Sequence, residues 1–300
     1  MIVRLAGRLT CKAVLAGAGL LLCAAAFAAT AVAQQPQPQE PPPPVNLMAH
    51  FSITMTHVRV GELNWAVSFA GDNYLASANG KASGVFSVLV KGEGSVTTHG
   101  SLMDGHLLPR NSRSVIADED GAYEVTLTFD NGSLTHVAAK GAPPPEDRVR
   151  VTPNLLHNVT DPLSAMLIPY ADNAFAPANC DRTLRIFDGR RRYNLALTYK
   201  RLDKITMKRG YDGKVLVCNV VLRPIAGYKV GSLLVRYLAG KDDLEMWFAP
   251  IAGVAVIAPV RALMPTLIGT MDIHADEFEV VKVHASAPVK PAPAPVPMKR

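Results

Sequence analysis

No glycine-rich loop leads from a strand into a helix anywhere in this sequence, which argues against a phosphate cradle. Gly94-Ser95-Val96 lacks the second glycine of a nucleophile elbow, and the parallel α/β framework that such an elbow needs is missing. Lys and Arg form no run along a helix, so nucleic acid is excluded as a partner. There is no internal repeat at solenoid or propeller spacing. After the first thirty residues, no apolar run is long enough to span a bilayer: Ala249–Val260 is too short, is broken by Pro250 and Pro259, and is closed by Arg261. Cysteine is scarce, with four residues in the chain.

What is present begins with an export signal. Arg4, Arg8 and Lys12 form a positive head, an apolar run follows from Ala13 to Ala29, and Ala31-Val32-Ala33 supplies the small residues of a cleavage site. An uncleaved membrane anchor is the alternative. Leu20-Leu21-Leu22 ahead of Cys23 lacks the small residue that a lipoprotein site wants. Residues 1–33 therefore read as a cleavable signal peptide, and the mature chain as a periplasmic protein with no membrane span. Removing the three leader cations takes Lys+Arg from 31 to 28 against 25 Asp+Glu, so the net charge falls from +6 to +3. Cys11 and Cys23 leave with the leader. The remaining pair, Cys180 and Cys218, has one possible intramolecular partner each, in an oxidising compartment. Closing that loop contributes about 4 kcal/mol in the chain-entropy model. Metal ligation or a redox couple is the alternative, but neither cysteine has a CxxC partner or a nearby histidine.

Residues 34–46, a Pro-rich linker, and 285–300, a Pro- and Lys-rich tail, favour extended polyproline II and bury no core. Between them, residues 47–284 read as one antiparallel β domain. Trp65, Val67 and Phe69 alternate with Ala66 and Ser68, and Tyr123, Val125, Leu127 and Phe129 alternate with Glu124, Thr126 and Thr128. Asp130-Asn131-Gly132 is the strongest hairpin signal. Glycines 80, 84, 92, 94, 100 and 105 read as turns or bulges between short strands. Ala142-Pro143-Pro144-Pro145-Glu146 interrupts the sheet. A short helix follows, with Asp161 as N-cap and Pro162 at its first position, ending by Pro169. Strands return at Leu184–Phe187, at Tyr193–Tyr199 across the Asp188-Gly189 turn, at Lys214–Leu222, at Leu244–Phe248 and from Met271.

Several segments in this order carry a resemblance: Asp161–Ser164, the Phe187-Asp188-Gly189-Arg190 hairpin, a late cysteine, the Met246-Trp247-Phe248 strand and Ala258-Pro259-Val260-Arg261. Together they resemble a proteobacterial family of periplasmic proteins known as a domain of unknown function, over roughly Phe51 to Val280. The resemblance implies a curved antiparallel half-barrel with one or two short helices, similar in fold to the lipoprotein carriers LolA and LolB, with an apolar concave face. It implies no catalytic residue and no cofactor. Ala249-Pro250-Ile251-Ala252 departs from the family, where an Asp or Asn often precedes the proline.

Candidate sites are few. His99, Asp104 and His106 in HGSLMDGH fit no zinc spacing; solvated loop histidines are the plainer reading. Asp242, Asp243 and Glu245 read as a solvated turn rather than paired acid/base carboxylates. Arg190, Arg191 and Arg192 offer contacts to an anionic headgroup, against the alternative of an exposed hairpin tip that keeps an edge soluble. Val67, Phe69, Phe187, Leu195, Met246 and Phe248 are candidates to line a ligand cavity, or else simply fill a core. The expected function is non-enzymatic: a binding or carrier module for a lipid or a lipoprotein acyl chain. The alternatives are a structural envelope scaffold that meets other envelope proteins, and a hydrolase using His99, Asp104 and His106.

Overall fold

The computed structural model describes residues 43–82, 92–118, 121–141 and 147–282. The expected signal peptide at 1–33, residues 34–42 of the expected linker, Gly84, the segment 142–146 and the expected tail at 285–300 lie outside the described residues.

Period-two patterning produces long strands. The first seven are β1 (Val45–Met55), β2 (Val58–Ala70), β3 (Asn73–Ala82), β4 (Glu93–Met103), β5 (His106–Asp118), β6 (Gly121–Asp130) and β7 (Ser133–Gly141). After helix α1 (Pro162–Met166) come β8 (Ile168–Pro169), β9 (Arg182–Phe187), β10 (Arg192–Thr206) and β11 (Asp212–Ala226). Helix α2 (Leu233–Ala239) precedes β12 (Leu244–Pro250), β13 (Val256–Thr266) and β14 (Gly269–Lys282). The strands form one sheet in the order β7-β6-β5-β4-β3-β2-β1-β14-β13-β12-β11-β10-β9, with β8 paired to β13. Every named pairing is antiparallel, and β1 lies against β14, so the first strand joins the two meanders. The fold is mainly β, a curved sheet that does not close, as the resemblance implies.

The turns follow from backbone chemistry. Asn131 and Gly132 both have positive φ, as a two-residue hairpin of the expected type requires. The glycine reading holds at Gly105, which turns with positive φ, and at Gly100, which faces a bulge at Arg110 of β5, but needs correction elsewhere: Gly80 and Gly94 are partners inside β3 and β4. A Cβ on Gly100 would lie 2.3 Å from the Leu108 carbonyl oxygen, so the missing side chain permits close backbone approach rather than reversal. The strands are accordingly fewer and longer than the glycine spacing suggests. Helix α2 was not legible as a helix: Leu233 and Leu234 are exposed, which blurs its apolar stripe, although Ser232 caps it by accepting from the Val235 amide.

Cys180 and Cys218 form a disulfide with a Cα–Cα distance of 5.5 Å. It ties the segment before β9 to β11, at the centre of a core made by Ile168, Leu197, Leu216, Met246, Phe248 and Ile257. A second and larger core joins the inner face of β1–β3 to Leu163 and Leu167 beside α1, and to Val215, Val217, Trp247 and Phe278. A third packs Tyr123, Val125, Leu127 and Phe129 of β6 against Val159 and Phe187.

This third core shows how the sheet rolls up. Strand β9 is an edge, yet its free side is covered by Thr160, whose amide donates to the Arg185 carbonyl while its carbonyl accepts from the Phe187 amide. The turn after β9 then presses on β6. Gly189 has φ of 93°, and a Cβ there would lie 2.1 Å from Val125 Cγ1. Replacing it with Ala both strains the backbone and forces two elements apart. The Gly189→Ala variant is expected to lose about 1–3 kcal/mol in urea unfolding, with the disulfide intact by thiol titration; unchanged stability would mean that this contact does not hold the roll.

Candidate functional site

The site is built around α1. Asp-Pro at its start does two things: Pro162 presets the first helical residue, and the Asp161 carboxylate accepts from the backbone amides of Leu163 and Ser164 at 3.0 and 3.2 Å. Leu163, Ser164 and Ala165 are buried, so this short helix is a plug on the inner face of the sheet rather than a surface element. Two hydroxyl contacts seat it. Tyr74 Oη of β3 lies 2.6 Å from Ser164 Oγ, and Thr98 Oγ1 of β4 donates to Asp161 Oδ1 at 2.7 Å. Thr98 Oγ1 also lies 2.8 Å from Ser112 Oγ of β5. A hydroxyl has one proton to give, so Ser112 donates to Thr98 and Thr98 to Asp161.

Asp161 is fully buried. Its Oδ1 collects all three donors, while Oδ2 meets no donor among the described residues. Burial pushes this carboxyl above the usual range, only partly offset by hydrogen bonding from Ser164, Thr98 and the Leu163 amide. A carboxyl raised by burial weakens the fold once it ionises. Its penalty is absent below the unfolded carboxyl range and fully present above the folded value.

On either side of α1 the inner face leaves space. One chamber of about 270 Å³ is lined by Ser112, Ser114, Ile116 and Leu127 with Pro162, Asp188 and Tyr193. A second, of about 180 Å³, is wholly apolar except for Arg261, and its walls include Phe51, Trp65, Leu163, Met166, Met246 and Ile273. A third, of about 450 Å³ and more open to solvent, lies along Ile53, Val60, Gly61, Gly80, Gly94 and Ile116. Leu63 is common to all three, and Ala78 lines the first two. The first and third adjoin where the paired Gly80 and Gly94 put no side chain into the interior.

Of the residues singled out in the sequence, Met246 lines the apolar chamber. Val67 and Phe69 belong to the β1–β3 core, Phe187 to the β6 core, and Leu195 and Phe248 to the core around the disulfide. The residues that alternation marks most strongly are the ones that pack. The chamber walls combine some of these, Trp65 and Leu127, with weaker signals: Leu63, Ala78, the glycines and the serines of β5.

The arginine run is not one surface. Arg192 is 5% exposed and donates to the carbonyls of Leu155 and Tyr193 and to Asn194 Oδ1. Arg190 lies over the Tyr123 ring at 3.8 Å, and Arg191 lies 4.0 Å from Asp188 Oδ2. Asp188 Oδ1 accepts from the amides of Arg190 and Arg191 and holds the turn. Arg192 is thus inside and Arg190 packs across to β6, while the Arg191 side chain stays exposed beside its own turn, so the exposed-tip picture holds for Arg191 alone.

Glu245 lies in β12, where the strand reading placed it, but it is not a solvated carboxylate: it accepts from Arg201 at 3.1 and 3.2 Å, from Lys200 at 2.7 Å and from Trp247 Nε1 at 2.9 Å. Burial alone would raise its carboxyl, but hydrogen bonds from Arg201, Lys200 and Trp247 outweigh that and bring it down to about 2. The hub holds β10 to β12. His99 and His106 are exposed, on either side of the Asp104-Gly105 turn. No group of three or more metal-ligating side chains occurs among the described residues, and no helix among them is long and apolar enough to cross a membrane.

The buried carboxyl gives a signed test. Asp161→Asn keeps an oxygen for the two amides and Thr98, and removes the ionisable group. It is expected to raise Tm at pH 7, by roughly 2–4 °C for each kcal/mol of penalty relieved. The gain should shrink as pH falls and vanish near the unfolded Asp range, about pH 4. A difference that stays constant between pH 3 and 8 would show that Asp161 titrates normally.

Comparison with curated proteins gives no match. Among solved structures the chain is similar to a β-barrel-like protein of the domain of unknown function DUF1849 from Brucella abortus. That likeness has a TM-score of 0.45 at 8% identity, over 80% of this chain and 99% of the other. The profile of a family of proteins of unknown function, DUF3108, matches residues 50–276. Because that match spans the sheet from β1 to β14, with α1 and its chambers inside it, the chain belongs to the DUF3108 family.

Proposed function

We propose that the protein is a non-enzymatic binding or carrier module for a lipophilic ligand, held in the chambers around α1. One observation carries the reading: three adjoining spaces share Leu63 on the inner face of the sheet, one almost wholly apolar and one more open to solvent. A core that only needed filling would place larger side chains at Ala78 and Gly94. Apolar walls with a few placed polar groups are the usual make-up of a small-molecule site. Work in the periplasm is part of the same proposal. The leader at 1–33 supports it, and so does the Cys180–Cys218 disulfide, since such bonds persist in oxidising compartments.

The test is on mature protein purified from a bacterial periplasm without detergent, extracted with organic solvent and analysed by mass spectrometry. About one lipid per chain is expected. The Ala78→Phe variant should fill the shared wall and abolish both lipid recovery and uptake of the uncharged fluorophore N-phenyl-1-naphthylamine, with cooperative unfolding retained. Protein that carries no lipid and takes up no fluorophore would remove the carrier reading.

A further inference from the structure

Within the ligand reading just proposed, on which this inference rests, the chambers differ in chemistry in a way that selects among lipids. The chamber beside α1 presents hydroxyls from Ser112, Ser114 and Tyr193 and a carboxylate from Asp188, and no Lys, Arg or His lines it. The nearest cations are already committed. Arg191 is turned towards Asp188, Arg190 stacks on Tyr123, and Arg192 spends its donors on Leu155, Tyr193 and Asn194. Beneath the chamber lies Asp161, adjoining Pro162 in sequence and reached through Ser112 and Thr98. The Tyr193 hydroxyl registers this surrounding: burial raises its pKa first, and Asp188, Tyr228 and Asp161 raise it further, against a smaller opposing effect of Arg191. The chamber on the far side of α1 is apolar, and its single cation, Arg261, is clasped by both oxygens of Asp272 at 3.0 and 2.7 Å.

We infer that the ligand is a single-chain amphiphile with an uncharged, hydroxyl-bearing headgroup. The headgroup sits against Ser112, Ser114, Tyr193 and Asp188, and the chain follows Leu63 and Ala78 into the apolar space. A carboxylate or phosphate headgroup would meet Asp188, whose charge Arg191 only partly offsets at 4.0 Å, with no cation lining the chamber to receive it, and like charges in a partly dry chamber repel. A hydroxyl headgroup instead donates to the carboxylate and exchanges hydrogen bonds with the serines. The apolar chamber, at about 180 Å³, is below the ~300–1,000 Å³ usual for whole ligand pockets, so it takes one chain rather than two.

The experiment compares three probes with the same chain, 1-lauroylglycerol, laurate and dodecyl phosphate, each titrated calorimetrically into delipidated mature protein below its micelle concentration. The expected result is that 1-lauroylglycerol binds at least tenfold more tightly than either anion. Asp188→Asn, which keeps an oxygen for the turn amides, should narrow that gap. Ser114→Ala, outside the network that seats α1, should weaken 1-lauroylglycerol several-fold and leave the anions unchanged. Laurate or dodecyl phosphate binding as tightly as the glyceride would overturn the headgroup assignment and leave the ligand reading standing. Failure of all three to bind would take down both.

Discussion

The interior of this protein depends on one buried carboxyl. Asp161 caps α1, takes the Thr98 hydroxyl and so fixes a five-residue helix against the middle of a broad sheet. A helix this short has no stability of its own in water, since its few internal hydrogen bonds do not repay the cost of nucleation. It exists because the sheet holds it at both ends of its first turn, through Thr98 at the cap and Tyr74 at Ser164. The arrangement divides the inner space into chambers with different walls, and the position of α1 sets the size of each.

The sheet leaves that space because of how it rolls. Its two meanders are joined by β1 and β14, and the far hairpin presses on the inner face of β6 instead of hydrogen-bonding to β7. The large side chains are spent on three separate cores, at the β1–β3 face, around the disulfide and under the roll. Where those cores do not reach, the residues are small: Ala78, Gly80, Gly94 and the serines of β5. Interiors normally pack as densely as organic crystals, so a run of small residues facing an unfilled volume stands apart from the rest of this molecule.

Much of the fold was legible in the sequence. Alternation at Trp65–Phe69 and Tyr123–Phe129 marked strands and their buried faces, Asn131-Gly132 marked a hairpin, and Asp161-Pro162 marked α1 with its cap. The cysteine count left one pairing, and it forms. The site was much less legible, for a physical reason. Hydrophobic periodicity reports which residues fill space, so it led to Val67, Phe69 and Phe248, whereas a cavity is defined by residues that fail to fill it. The glycines were misread in the same way, because absence of a side chain signals equally a turn, a bulge and a strand crossed at close range. Arg192 and Glu245 show the limit for charge: nothing local to either residue reveals that a partner 37 or 44 residues away, Leu155 or Arg201, takes it inside.

The contact that completes the roll is made by Gly189 and Arg190 on Val125 and Tyr123, not by a ladder of backbone hydrogen bonds. Parting the two elements there would break a cation–π stack and expose the core that Val159 and Phe187 share with β6, while every strand kept its neighbours. The same hairpin carries Asp188 and Tyr193, two walls of the polar chamber. Side-chain packing along that one line, rather than strand pairing, therefore joins the hairpin that carries the polar wall to the sheet that carries the rest.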